Sequence, residues 1–157
     1  MARLIPNENS WLAFVPTIAD IESPTAAELT GGVVLTKYLI SLNATTQGNT
    51  VPTPDISPLF ETSVPGTVQA SLTADFYRDD EADLAWETLP RRTRGYLVVS
   101  RFGGTGTDNA PAAGDVVEVW PLFVVSRSMS NMSNNTVMTF TMTGSVPEEP
   151  NEAATVA

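Results

Sequence analysis

The chain reads as a mainly β protein with a single helix set between two strands. Three observations predict this. β-Branched residues and threonine are plentiful, and segments with a helical period are few. The third is residues 67–77, which alternate without a break. Val68, Ala70, Leu72, Ala74 and Phe76 fall on one face, and Thr67, Gln69, Ser71, Thr73 and Asp75 on the other. A period of two over that length is a strand with one face on a core and one in water.

The elements follow in order. Residues 10–15, with Trp11, Leu12, Phe14 and Val15, form a first strand that Pro16 ends, and residues 18–21 extend it. Thr25 and Glu28 make a capping box behind Pro24, predicting one helical turn that stops at Gly31 and Gly32. Residues 33–42 are strand-like. Residues 43–66 hold four prolines, at 52, 54, 58 and 65, which forbid a regular helix or an interior strand. This segment is predicted to be a long loop. Its apolar residues Val51, Ile56, Leu59 and Phe60 have no regular element to pack on, so they are expected to meet another subunit.

After the alternating strand, Ala82, Ala85, Trp86 and Leu89 recur at i, i+3, i+4 and i+7, predicting a helix from about residue 80 to 89 packed by that stripe. Asp79 or Asp80 would cap it, Pro90 would stop it, and Arg91, Arg92 and Arg94 would sit at its negative end. Residues 96–102 form the next strand, and the glycine-rich residues 103–115 a connection. Residues 116–127 give a strongly apolar strand in which Pro121 marks an edge or a bulge. Residues 136–143 alternate again, with Met138, Phe140 and Met142 opposite Val137, Thr139, Thr141 and Thr143. The division expected is a folded domain over residues 1–144 and an acidic, disordered or partner-dependent tail over residues 145–157.

Composition narrows the chemistry. The chain has no cysteine and no histidine, which removes disulfides, thiolate and imidazole metal sites, and Ser-His or Cys-His catalysis. Eighteen acidic against eight basic residues give a net charge of −10, the wrong sign for adhesion to nucleic acid or to an anionic membrane. The longest apolar run, residues 119–125, is too short to span a bilayer, and the first residues lack the run of a signal peptide. A soluble protein made in a cytoplasm is expected.

No catalytic constellation emerges. Asp79, Asp80, Glu81 and Asp83 could suggest a metal or an acid–base pair, but a helix N-terminus favours such charges without further purpose. Residues 103–106 lack the lysine and the following helix of a phosphate loop. The arginines at 91, 92 and 94 could grip an anion, and a helix C-terminus explains them as well. Three glycosylation-like triplets, beginning at Asn43, Asn131 and Asn134, are coincidences of composition. No enzyme, cofactor or metal is predicted.

Four strings resemble a known family. They are Arg3-Leu4-Ile5-Pro6-Asn7-Glu8-Asn9, Gln47-Gly48-Asn49-Thr50-Val51-Pro52-Thr53-Pro54, Tyr77-Arg78-Asp79-Asp80-Glu81-Ala82-Asp83 and Ser126-Arg127-Ser128-Met129-Ser130-Asn131-Met132. Together they are similar to major tail proteins, the tail-tube subunits of long-tailed bacteriophages with non-contractile tails, particularly those of actinobacteria. The resemblance spreads over nearly the whole chain and rests on no chemical motif.

It implies a β-sandwich flanked by a helix, with six copies per ring and rings stacked into a tube around a tape measure protein. The inner sheets would join into one barrel, about four strands from each copy. Twenty-four strands at ~4.8 Å spacing and ~40° tilt close at roughly 48 Å backbone to backbone, leaving a bore on the order of 38 Å. Tail terminator and tail-tip proteins would be partners at the ends, and DNA would pass without specific binding. The tail would be part of the virion, assembled in the bacterial cytoplasm. Gln69, Ser71, Thr73 and Asp75, with Thr139, Thr141 and Thr143, are then expected to line the bore, and the acidity of the chain would discourage adhesion of DNA. Two other readings compete: a capsid decoration or head–tail joining protein, and a non-viral β-sandwich that binds a ligand such as carbohydrate.

Overall fold

A computed structural model describes residues 9–56, 60–130 and 132–157. The strands are β1 (Trp11–Val15), β2 (Val33–Val34), β3 (Leu39–Thr53), β4 (Thr62–Tyr77), β5 (Arg94–Ser100), β6 (Val116–Met129), β7 (Thr139–Ser145) and β8 (Asn151–Thr155). Two short helices, α1 (Ala26–Thr30) and α2 (Leu84–Thr88), accompany them. The strands form one sheet of order β2-β1-β5-β6-β7-β4-β3, with β8 also paired to β6, and every pairing is antiparallel.

The sheet doubles back on itself along β6. The first half of this strand pairs with β5 and β8, and the second half with β7. A bulge between Val124 and Ser126 lets it turn from one layer into the other. Pro121 lies where β8 has ended at Val119 and β7 has yet to begin at Phe123. One side of the strand is therefore a local edge there, and the missing N–H costs no ladder bond on that side. Gly144 helps the layers close, because a Cβ there would stand 2.3 Å from Leu122 Cδ1.

Between the layers lies the main core. Leu12 and Phe14 of β1, Leu97 and Val99 of β5 and Trp120 of β6 meet Leu72, Ala74 and Phe76 of β4 and Phe140 and Met142 of β7. A second cluster covers the outer face of the first layer. There Trp11, Ala13, Val15, Val98, Val117 and Val119 pack under Leu29 of α1 and Ala154 and Val156 of the C-terminal segment. Strand β1 is buried on both faces, which is why residues 11–15 read as a continuous apolar run. The capping box of α1 forms as expected, with Thr25 accepting from the N–H of Glu28 and Glu28 accepting from that of Thr25.

Three expectations need correction. Residues 43–66 are not a loop: β3 and β4 run through most of that segment as a long two-stranded ribbon. Pro52 and Pro65 are tolerated because the ribbon has no third strand beyond Ser71, and Pro65 sits beside a bulge in which Gly66 and Thr67 oppose Asn49. Leu59 lies outside the described residues.

The central helix is also shorter than residues 80–89. Asp79 Oδ1 accepts from the N–H groups of Glu81 (2.8 Å) and Ala82 (3.2 Å), a turn that holds the backbone out of the helix. Ala82 is consequently exposed and does not belong to the packing stripe, whereas Ala85 and Leu89 are buried and Trp86 is half-buried. Nor do Arg91, Arg92 and Arg94 cap its end. Arg127 reaches across from β6 to donate to the carbonyls of Trp86 (2.5 Å) and Leu89 (3.4 Å), while Arg92 takes a φ of 70° in the turn into β5.

Finally, the C-terminal segment is not a disordered tail. β8 pairs with β6, and Ala154 and Val156 are buried in the second core.

Candidate functional site

Two surfaces stand out, one polar and one apolar, and both belong to the layer β3-β4-β7-β6. Antiparallel partners share a face, so the pairings define its outer wall row by row. Ser41, Asp75, Thr141 and Ser128 form one row; Asn43, Thr73, Thr143 and Ser126 the next; Thr45, Ser71, Ser145 and Phe123 a third; and Gln47 faces Gln69 beyond them. The seven residues expected on sequence grounds, Gln69, Ser71, Thr73, Asp75, Thr139, Thr141 and Thr143, are thus brought together on one face. The β6 bulge adds one residue, so Ser126 and Ser128 join the wall while Arg127 points to the other side.

This wall is rich in hydroxyls and nearly uncharged. Asp75 is its sole carboxylate, and it is tied down by Ser41 Oγ (2.8 Å) and Thr141 Oγ1 (2.5 Å). Thr45 and Ser71 share a further cross-strand hydrogen bond of 3.1 Å. The excess of acid in the composition is therefore located elsewhere than on these rows. Asp79 and Asp83 are engaged with the backbone and with Arg78, at 2.6 Å for the ion pair, while Asp80 and Glu81 lie exposed at the turn. Hydrogen bonds from the N–H groups of Glu81 and Ala82 hold the Asp79 carboxyl below its ordinary pKa.

The opposite, apolar face of β4 changes character along its length. Phe76, Ala74 and Leu72 are fully buried, whereas Val68 is 70% exposed; beyond it an extra residue on β4 moves Val64, 48% exposed, to the other face with its partner Val51. β7 pairs with β4 only from Ser71 to Tyr77. Residues 62–70 pair with β3 alone, so the ribbon projects ~30 Å beyond the sandwich. It carries Val51 along its length, and Ile56 and Phe60 stand exposed at its tip. At the other end of the same strands, Tyr77, Leu84, Met129, Met132, Val137 and Met138 are also exposed.

Sequence reasoning missed Ser41, Asn43 and Thr45, although they alternate with Leu42 and Ala44, because the prolines that follow dominated the reading. It also missed Ser126 and Ser128, whose parity is set by a bulge that no local pattern announces.

Comparison with known proteins agrees with this architecture. The phage tail tube protein family model matches residues 1–157. The structure is similar to a chain of the virion of a native gene transfer agent particle, with a TM-score of 0.59 at 10% identity, covering 96% of this chain and 100% of that one. It is similar to a chain from the tail of an empty particle of that kind, described with C6 symmetry, at 0.59 and 12% identity with the same coverage. It also resembles the SPP1 tail tube subunit, with a TM-score of 0.62 at 12% identity, covering 96% of this chain and 81% of that one. Against curated protein sequences the chain has no match. With a family model spanning every residue and the same fold in assembled tails, the chain belongs to the phage tail tube protein family, as a structural subunit of the tube.

Proposed function

We propose that this major tail tube subunit joins edge to edge into hexameric rings, that the rings stack, and that the hydroxyl-rich wall lines the bore. The observation that carries the reading is the direction of four strands. β3, β4, β7 and the second half of β6 alternate in direction, and both outer edges are open. β3 ends the sheet, and on the far side of β6 the pairing stops where Thr93 meets Val124, leaving residues 125–129 free.

An even number of alternating strands has opposite directions at its two edges. A second copy's β3 laid along residues 125–129 therefore continues the antiparallel order, and repetition closes a barrel with no unpaired edge. Six copies supply the 24 strands of a bore wide enough for a tape measure protein and then for DNA. The wall presents mainly neutral hydroxyl and amide groups, with Arg94, the cross-strand partner of Phe123, at its β5 margin, so it offers passing phosphates little counter-charge. In this reading the chain acts as scaffold and conduit without chemistry of its own. Tail terminator and tail-tip proteins meet the ends of the tube, and assembly takes place in the bacterial cytoplasm before the tail joins the virion.

Negative-stain microscopy of the purified protein tests the proposal. Six-fold rings and stacked tubes with a stained bore are expected. Isolated trimers or pentamers would return the head decoration reading, and a stable monomer at high concentration would return that of a ligand-binding module.

A further inference from the structure

Resting on the tube reading, we propose that the arginine turn before β5 is where the bore touches DNA, with Arg94 meeting the phosphodiester backbone. Three of the chain's eight basic residues, Arg91, Arg92 and Arg94, stand together here. A helix end would explain them, but Arg127 takes that place. Arg78 and Arg101 are committed to Asp83 and Glu118. Arg91, Arg92 and Arg94 are exposed, and among the described residues their side chains make no hydrogen bond or ion pair.

Register places Arg94 on the wall. It pairs with Phe123, and the row runs on through Ser145, Ser71 and Thr45, so all five share a face. The guanidinium lies 5.2 Å from the centre of the Phe123 ring. Backbone bonds from Val124 to Thr93 (2.9 Å) and from Arg92 to Val124 (2.8 Å) pin the turn to β6. Arg94, Phe123, Ser145 and Pro147 line an open hollow of about 240 Å³. A second hollow beside it, of about 230 Å³, also includes Arg94 and holds Glu148, with which the arginine forms no ion pair.

The ring itself supplies no answering anion. The next copy's β3 would lie along residues 125–129, and strands β3 and β4 carry one carboxylate between them, Asp75. That group is held by Ser41 and Thr141, and it stands four residues along β4 from the Arg94 row, ~13 Å away and beyond the ~8 Å reach of charge at physiological salt. The guanidinium fork matches phosphate oxygens, and the Ser145 hydroxyl beside it can donate a further bond. A duplex carries a charge about every 1.7 Å of its axis, so it offers Arg94 a phosphate at every stage of passage, as an acidic protein with scattered carboxylates does not. Six such arginines around a ~48 Å barrel stand ~25 Å apart. A duplex therefore meets few at once and leaves them easily, as a conduit requires.

Assembled tubes sedimented with a labelled short linear duplex at low salt test this. Parent tubes should retain the duplex, and retention should fall steeply as salt rises. Arg94→Gln should cut retention several-fold and flatten its salt dependence, whereas Glu148→Gln, which keeps the arginine, should raise it. A closed circular plasmid has no end to thread and should not be retained through Arg94. No retention by parent tubes, equal retention by Arg94→Gln tubes, or Arg94-dependent retention of the plasmid would overturn the inference and leave the tube reading intact. Polyglutamate held as well as the duplex, and lost with Arg94, would overturn it too by giving the site to an acidic protein. A parent chain that never assembles would overturn both.

Discussion

Trp86 is gripped on three sides. The Arg127 guanidinium lies 3.5 Å from its ring centroid, that of Arg78 lies 4.2 Å away, and Phe140 meets it edge-on at 5.1 Å. The two cations are kept in place by other bonds: Arg78 by its ion pair with Asp83, and Arg127 by the helix carbonyls it caps. Partial burial and its like-charged neighbour Arg78 lower the pKa of Arg127 from its usual value, with Asp83 opposing. A Trp86→Ala change removes half-buried aromatic area and both cation–π contacts. We expect a loss of ~2–4 kcal/mol in urea unfolding, somewhat below the cost for a fully buried tryptophan. Asp115 organises the connection between β5 and β6 in a similar way, its Oδ2 accepting from the N–H groups of Ala112 and Thr105 and from the Thr105 hydroxyl. The bonds from Ala112 and then Thr105 hold its pKa below the ordinary carboxylate value. A depressed pKa in the folded state adds stability above the unfolded pKa, and that stability disappears as pH falls through the folded value. Asp115→Asn should therefore melt below the parent at pH 7, with the gap shrinking below about pH 4. An equal gap at pH 7 and pH 3 would place the effect outside ionisation.

Helix α2, at five residues, is too short to persist alone, and its place is fixed from β6 by Arg127. This explains why its helical period was legible while its bounds were not. Ala85, Trp86 and Leu89 announce themselves by spacing, but the side chain of Asp79 decides that Ala82 stays outside. Strands β1, β5 and β7, residues 67–77 of β4 and the apolar first half of β6 were readable because each carries its burial pattern in one unbroken segment. The ribbon was not, since proline rules describe sheets with neighbours on both sides and this element has none beyond Ser71. For the same reason half of the polar wall was visible and half hidden: β4 and β7 alternate plainly, whereas β3 precedes prolines and β6 shifts parity at its bulge. β8 escaped notice because small residues, Ala154 among them, fill its place in the core. The ribbon's role can be isolated. Replacing residues 49–67 with Asn-Gly leaves Gly48 opposite Val68 across a two-residue turn, a connection compatible with antiparallel pairing. This variant should fold and melt within a few degrees of the parent, form rings, and fail to extend them into tubes. Tubes as long and as heat-resistant as the parent's would reduce the ribbon to a connection.

The whole molecule is built with surface to spare. It exposes 10202 Å², against roughly 7,600 Å² for a compact monomer of this length. The projecting ribbon is a visible source of the excess among the described residues. Charge must also be weighed at this scale. A ring of six copies carries about −60, yet the proposed wall holds one carboxylate per copy. Six Asp75 side chains around a barrel ~48 Å wide stand ~25 Å apart, well beyond the ~8 Å over which charges act at physiological salt. Low adhesion in the bore then comes from the scarcity of cations, Arg94 at the β5 margin apart, more than from repulsion, with hydroxyls and amides that hydrogen-bond as readily to water as to phosphate. The orientation of the wall is the premise on which this rests, and a slip of one residue would invert it. Single cysteines at positions 68 and 71 separate the two faces. In the free subunit both positions are exposed, so Val68→Cys and Ser71→Cys should react at similar rates with a small charged thiol reagent. In assembled tubes position 71 should remain reactive through the water-filled bore, while position 68, on the face continuous with the core, should slow several-fold. Faster labelling at 68 than at 71 in the tubes would turn the wall outward and require another face for the bore.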